Sequence, residues 1–528
     1  MNIDDQISRT AEKIAIDIVR RCQTLLKEMG ELRQQFFALH GENRHISGLA
    51  TQISSITTEK IAAESYLKSL ADGNAPWRGN AEARFRSNNI PAVEQTWNII
   101  KRCRHITSIH HRVVINPKIS GGCKTRAEKL APASNGKSTG VKQSVGKKSM
   151  GDDAVWVNAV VEGGAEWLKV ISKTEKRLLH ELAEAGWDWG IEDEESDAEE
   201  NDIALFEDIE ILRTASLLVR AARTNWHKYK HPRIRFVFTR IRQGHDKEID
   251  RLIKKLRLVG GDDINVNLHI ADLEWVSSDP PDVDSAIANL LPQIDDITDP
   301  VLLDTNVLIA LCSDISHTQV EPQVYHGADV LAQIKAEENG LAFLWRTAYP
   351  HIRGRKLICT KEAVRQFNKI TETIGSPTEV ERAHLLLCGR REDFQGLSLY
   401  PVPEDLILPV QVLLDEDTDF SAAELVQNGT LLPVAMEVQK HLYLPENQAI
   451  HLYGWISGLT VITGNRVLAN KIVQIIEQSL ERENHNRDYL HGPRICALPQ
   501  NRALATKGPS GKNARQLARR GLWPSAAK

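Results

Sequence analysis

The stretch PVLLDTNVLIALCSD, residues 300–314, carries the group best placed for chemistry. An apolar run leads straight into Asp304, Thr305 and Asn306, and a second apolar run follows. Strands buried on both faces read as continuous apolar runs, and parallel sheets of that kind present functional groups at the C-terminal ends of their strands. A carboxylate in that position must find a cation, an amide donor or water, because burying it bare is costly. Two uses of Asp304 are open. It could work at the sheet edge with Thr305 and Asn306 as hydrogen-bonding neighbours, or it could simply cap the helix that follows. Other candidates offer less. His105, His110 and His111 crowd the run HITSIHHR without the spacing of paired metal ligands. Cys312 and Cys359 flank the expected strand edges and read as packing residues. The 7 cysteines include no CxxC pair, so neither a zinc site nor a disulfide framework is expected, and a reducing compartment, cytosol or nucleus, fits.

LLDTNVLI resembles the opening signature of PIN domains, the fold of metal-dependent RNA nucleases, in which the aspartate binds Mg²⁺ or Mn²⁺. KLICTKEAVRQF is similar to the second family element, an acid at the start of a helix after a later strand, and Glu362 takes that place. The last element is an acid in a strand ending T-x-D. In LTVITGNRVL that position is Asn465. Eighteen residues earlier, where another acid often lies, stands Asn447, with Glu446 beside it. The likeness covers roughly 300–480. It implies a site built on Asp304, Glu362 and Asn465, with Asp304 and Glu362 as the metal ligands and RNA as the partner. Arg466 and Lys471, in the helix after Asn465, would meet phosphate, together with the backbone amides at that helix start; an ordinary solvated helix face is the other reading of the same residues. More narrowly, VWVNAVVEGGAEWLKV, LLDTNVLI, EAVRQFNKITETIGSPTEVERA, ITGNRVLANKI and PQNRAL resemble a eukaryotic family of unknown function that joins a mixed N-terminal domain to a PIN-like one.

The departures have a physical cost. Two-metal phosphodiester hydrolysis needs several anionic oxygens to hold two hard cations close together. Asp304 and Glu362 supply two charges, and the two asparagines supply none. One unit charge at ~4 Å is worth roughly 4 kcal/mol at an effective dielectric near 20. One weakly held Mg²⁺ or Mn²⁺, or none, is therefore expected. Glu446, or an acid of LLDEDTDF (Asp415, Glu416, Asp417, Asp419), is a substitute to consider. Hydrolysis of RNA at a depleted acidic site and a non-catalytic adaptor or scaffold are the two functional expectations.

Several elements must position these groups. Ile7, Ala11, Ile14, Ile18, Cys22, Leu25, Met29, Leu32 and Phe36 recur at helical spacing, and Gly41 ends that run. Leu49, Ile53, Ile56, Tyr66, Leu67 and Leu70 mark a second helix, so a helical hairpin is expected, its stripe a core face or a surface for a protein partner. A third helix is expected over 91–104. AVWVNAVVE and AEWLKVIS around Gly163-Gly164 read as a β-hairpin. Helices over 174–185 and 203–223 follow. IRFVFTR, DKEIDRLIKKLRLVG and INVNLHI make a strand–helix–strand unit over 233–270. From Pro300 strands and helices alternate, which implies a parallel sheet with helices on both faces.

The fold class expected is therefore α/β: a PIN-like parallel sheet flanked by helices, after an N-terminal α+β domain with a long helical hairpin. The domains would be a helical region over 1–117, a basic flexible loop over 118–150, a β-hairpin and helices over 151–230 with an acidic loop at 190–202, the PIN-like domain over 231–500, and a basic tail over 501–528. With 528 residues the chain exceeds one hydrophobic core. A hydrophobic fraction of 41% and a charged fraction of 26% are ordinary for a globular protein, and no apolar run is long enough to span a membrane. MNIDDQISRT lacks the apolar core of a secretory signal. The net charge of −4 excludes a chain that is basic throughout. The basic runs are nonetheless places where RNA phosphates could bind.

Overall fold

The computed structural model describes residues 3–40, 45–72, 81–115, 154–187, 189, 209–292, 297–413, 421–483, 492–506 and 508. The basic loop 118–150, the acidic loop 190–202, the acids at 415–419 and most of the 501–528 tail lie outside them. The chain divides into two compact units, Met1–Phe36 with His45–Gln293, and Phe37–Arg44 with Ile294–Lys528.

The first unit opens with two helices, α1 (Ile3–His40) and α2 (Leu49–Ala71). Ala11, Ile18, Cys22, Leu25, Met29 and Leu32 of α1 and Leu49, Ile56 and Tyr66 of α2 are buried in one hydrophobic cluster. The turn that would join the two as a hairpin, 41–44, lies outside the described residues. Glu28, on the buried side of α1, is satisfied by Trp97, whose Nε1 donates to Oε2 at 2.6 Å, and by Lys101 Nζ at 3.1 Å. A buried carboxylate persists only with such partners.

Five strands follow: β1 (Ser108–Val114), β2 (Ala154–Val161), β3 (Glu166–Ile171), β4 (Arg233–Phe238) and β5 (Val266–His269). They form one sheet in that order. β1–β2 and β2–β3 pair antiparallel, and β3–β4 and β4–β5 pair parallel. The hairpin read from AVWVNAVVE and AEWLKVIS is β2–β3, turning through Glu162–Gly164 with Gly163 at φ 66°. The unit over 233–270 also forms, with Asp246 capping its helix through Glu248 N and Ile249 N. Its place corrects the sequence reading. Grouped there with the C-terminal domain over 231–500, β4 and β5 instead extend the first sheet. Alternation of strand and helix specifies a crossover, not the sheet it joins.

The second unit carries a five-stranded sheet that is parallel throughout: β6 (Val301–Leu303), β7 (Leu357–Cys359), β8 (Gln411–Val412), β9 (Thr460–Thr463) and β10 (Ile495–Ala497). Its order is β10-β9-β6-β7-β8. β6 is central, and Leu302 pairs with Ile358 on one side and Val461 on the other. All three residues of β6 and all four of β9 are buried, as interior parallel strands require. Helices cover the faces, among them Thr305–Cys312, Lys361–Ile374, Pro377–Cys388, Pro445–Ser457 and Arg466–Glu483. The reading of 501–506 as the start of a loose tail is corrected. Arg502, Leu504 and Ala505 are buried, and Arg502 pairs with Glu337 at 2.6 Å over the ring of Phe343. A side chain chosen for its charge proves to be an interior ion pair. No described helix is long and apolar enough to cross a membrane.

Candidate functional site

Asp304 follows β6 directly and is 3% exposed. It stands in the cap position of the Thr305–Cys312 helix, yet its side chain makes no capping bond. The carboxylate turns sideways instead. Its Oδ2 accepts from Thr463 Oγ1, at the end of β9, at 2.5 Å and from Asn306 Nδ2 at 2.7 Å. Of the two uses open from the sequence, the side chain therefore serves the sheet edge, with Asn306 as the neighbour foreseen for it. Thr305 turns toward the next strand end, its Oγ1 donating to Ala363 O at 3.3 Å.

Glu362 lies in the first turn of the Lys361–Ile374 helix, just beyond β7. Thr360 caps that helix by accepting from Ala363 N, so Glu362 is not needed as a cap. Its Oε2 is buried without a hydrogen-bond partner. Asp304 and Glu362 thus stand just beyond the C-terminal ends of two adjacent strands, as their places in the sequence imply.

Asn465 has a different task from the one expected. Its Oδ1 accepts from Leu468 N at 3.1 Å, a capping contact for the Arg466–Glu483 helix, and its backbone N donates to Thr463 Oγ1 at 2.9 Å. It braces the site through the backbone while its side-chain oxygen is engaged elsewhere. The glycine before it lies against the side chains of Asn501 and Asn306. A Cβ on Gly464 would stand 1.7 Å from Asn501 Oδ1, and Gly464 N donates to Asn306 Oδ1 at 2.6 Å.

Arg466 and Lys471 do not form one patch. Arg466 is exposed and Lys471 half-buried. Five residues apart on a helix, they point roughly 140° away from each other. Arg466 Nη1 is 3.4 Å from Pro499 O. Cys312 and Cys359 are buried, and burial pushes both thiols up, Cys359 to about 12, as befits packing residues. His110 stacks on Trp156 with ring centroids 4.7 Å apart.

One residue at this edge escaped the sequence reading. His451, in the Pro445–Ser457 helix, is 2% exposed, and neither ring nitrogen has a hydrogen-bond partner. Burial pushes its pKa down, and the charge of Asp304 pushes the other way. The available signal was its spacing of four from Asn447, which puts both on one helix face. Asn447 and Glu446 are both half-buried. Among the described residues, no three His, Cys, Asp or Glu side chains converge as a ready-made metal-holding group.

Comparison with protein-family models, with curated proteins and with solved structures found no match to this chain.

Proposed function

We propose that the C-terminal unit is a PIN-like domain directed at RNA, with one weakly held divalent cation at Asp304 and Glu362 and, at most, slow phosphodiester hydrolysis. The observation that carries this reading is the place of Asp304 in the strand order. The chain runs from β6 outward to β7 and β8, then returns to lay β9 and β10 on the other side. Open α/β sheets bind ligands in the crevice outside the strand ends where this reversal occurs. Here the reversal falls between β6 and β9, and the Asp304–Thr463 hydrogen bond spans it.

One orphaned buried oxygen and one carboxylate oxygen outside the described side-chain hydrogen bonds support a cation there. Glu362 Oε2 lacks a partner, and both described side-chain hydrogen bonds of Asp304 fall on Oδ2, which leaves Oδ1 for a ligand. When bound, the cation would polarise a phosphoryl oxygen and orient a water. Asp304 and Glu362 would hold it, and Thr463 and Asn306 would fix the Asp304 carboxylate. Two carboxylates suffice for one cation and fall short of two.

The experiment is Mn²⁺ titration of the full chain by calorimetry, beside Asp304→Asn. One weak site per chain, lost in the variant, is expected. No binding by the wild type, or equal binding by both, overturns the cation site.

A second reading, a non-catalytic adaptor, has an observation of its own. Asp304 Oδ2 and Asn465 Oδ1 are already satisfied by protein donors, so part of the site is stable with no metal at all.

A further inference from the structure

Resting on the cation site just proposed, the geometry points to His451 as a nitrogen ligand of the ion at Asp304, making it a mixed imidazole–carboxylate site rather than an all-oxygen one. Leu302 packs with Ile450 and Val461 on one face of the sheet. Asp304, two residues on and still extended at φ −74°, ψ 154°, continues toward the same face. That face is covered by the Pro445–Ser457 helix. Its Gly454 sits so close that an added Cβ would be 2.5 Å from Val461 Cγ2 and 3.3 Å from Leu302 Cδ1. His451 lies one turn earlier on this helix, on the side toward the strand ends where Asp304 stands.

The ring cannot be treated as ordinary packing. In any protonation state at least one imidazole nitrogen carries a hydrogen, and both nitrogens here are buried and unpartnered. Leaving such groups unsatisfied is costly. A ligand that takes one nitrogen as donor removes part of that cost, and a neutral imidazole beside a carboxylate is a usual donor set for a divalent transition metal. In this assignment His451 takes the place given above to Glu362, so Asp304 and His451 are the two protein ligands and water completes the shell. That agrees with the lack of a three-residue group among the described residues and with weak binding. Imidazole also biases the choice of ion. Mg²⁺ prefers oxygen ligands, whereas Mn²⁺, Co²⁺ and Zn²⁺ accept nitrogen.

The test is pulsed EPR on the Mn²⁺-loaded full chain, prepared with ¹⁴N-histidine and with ¹⁵N-histidine. The expected result is a directly coordinated nitrogen whose modulation frequencies change with the histidine label. His451→Gln should abolish that signal and weaken Mn²⁺ binding on the order of tenfold or more. The labelled wild type needs no variant to fold, so the outcome does not hang on His451→Gln. Bound Mn²⁺ with no histidine nitrogen coupling overturns this inference and leaves the cation site standing. Coupling that persists in folded His451→Gln overturns it as well. No bound Mn²⁺ at all overturns both.

Discussion

Thr463 donates its hydroxyl hydrogen to Asp304 Oδ2 across 2.5 Å, joining the ends of β9 and β6 where the sheet reverses its order. Thr463 is fully buried and Asp304 nearly so. Thr463→Val keeps the shape and removes the donor, so the carboxylate keeps only Asn306 as a side-chain donor. A loss of about 1–3 kcal/mol in urea unfolding is expected, with Thr463→Ser recovering most of it. A Thr463→Val protein as stable as the wild type would mean that this hydrogen bond does not hold the site.

The same unit contains a fully buried arginine. Arg382 donates to Cys312 O at 2.9 Å and Leu397 O at 2.7 Å, and pairs with Asp314. Removing the partner strands the guanidinium charge. Asp314→Ala should cost about 3–5 kcal/mol by denaturant unfolding. Asp314→Asn, which keeps an acceptor, should cost less.

Residues 501–506 are fastened to the second unit. Arg502 pairs with Glu337, Ala503 N donates to Gln333 Oε1, and Ala505 N donates to Glu379 Oε1. Deleting 501–528 should lower the melting temperature more than deleting 509–528, because only the longer deletion removes these contacts. The shorter deletion is therefore the one that tests the basic residues near the end of the chain. If these contact RNA, it should weaken binding and reduce the salt dependence. Equal melting of both truncations would contradict the packing of 501–506.

His317 gives a pH dependence of known sign. It is 1% exposed, its ring nitrogens face Leu311 O at 2.7 Å and Ser398 Oγ at 2.9 Å, and burial, aided by the Arg382 charge, holds its pKa down to about 3. In the unfolded chain it titrates near ~6.5. Between these values the unfolded state binds the extra proton. Its contribution is therefore full above about 6.5 and is lost as pH falls toward 3, with a slope of up to ~1.4 kcal/mol per pH unit. Stability measured against pH for wild type and His317→Gln should differ by that slope. Parallel curves would assign the acid sensitivity to other groups.

What the sequence made legible follows from what periodicity encodes. Ala11, Ile18, Cys22, Leu25, Met29 and Leu32 of the α1 stripe are buried as read, and the apolar runs around Leu302, Leu357 and Val461 form adjacent parallel strands, because a strand buried on both faces reads as a nearly continuous apolar run. The sheet that β4 and β5 join was not legible, since their pattern fits either sheet. Asp304 was legible because it ends an apolar run. Its choice of Thr463 and Asn306 over a capping bond depends on β9, 159 residues away in sequence. Asn465 occupied a motif position, but a cap and a ligand look alike in one dimension. His451 carried no motif, and only its burial without partners draws notice. Arg502 was counted as a tail charge because its partner, Glu337, lies 165 residues away.

The most direct measurement of the central claim is cleavage of a labelled single-stranded RNA in Mn²⁺ by wild type and Asp304→Asn purified side by side. The account predicts slow cleavage by the wild type, reduced at least about tenfold in the variant, as expected for loss of a group that holds the catalytic ion. Equal residual cleavage in both, or none by the wild type, would contradict hydrolysis at Asp304 and leave the adaptor reading in its place.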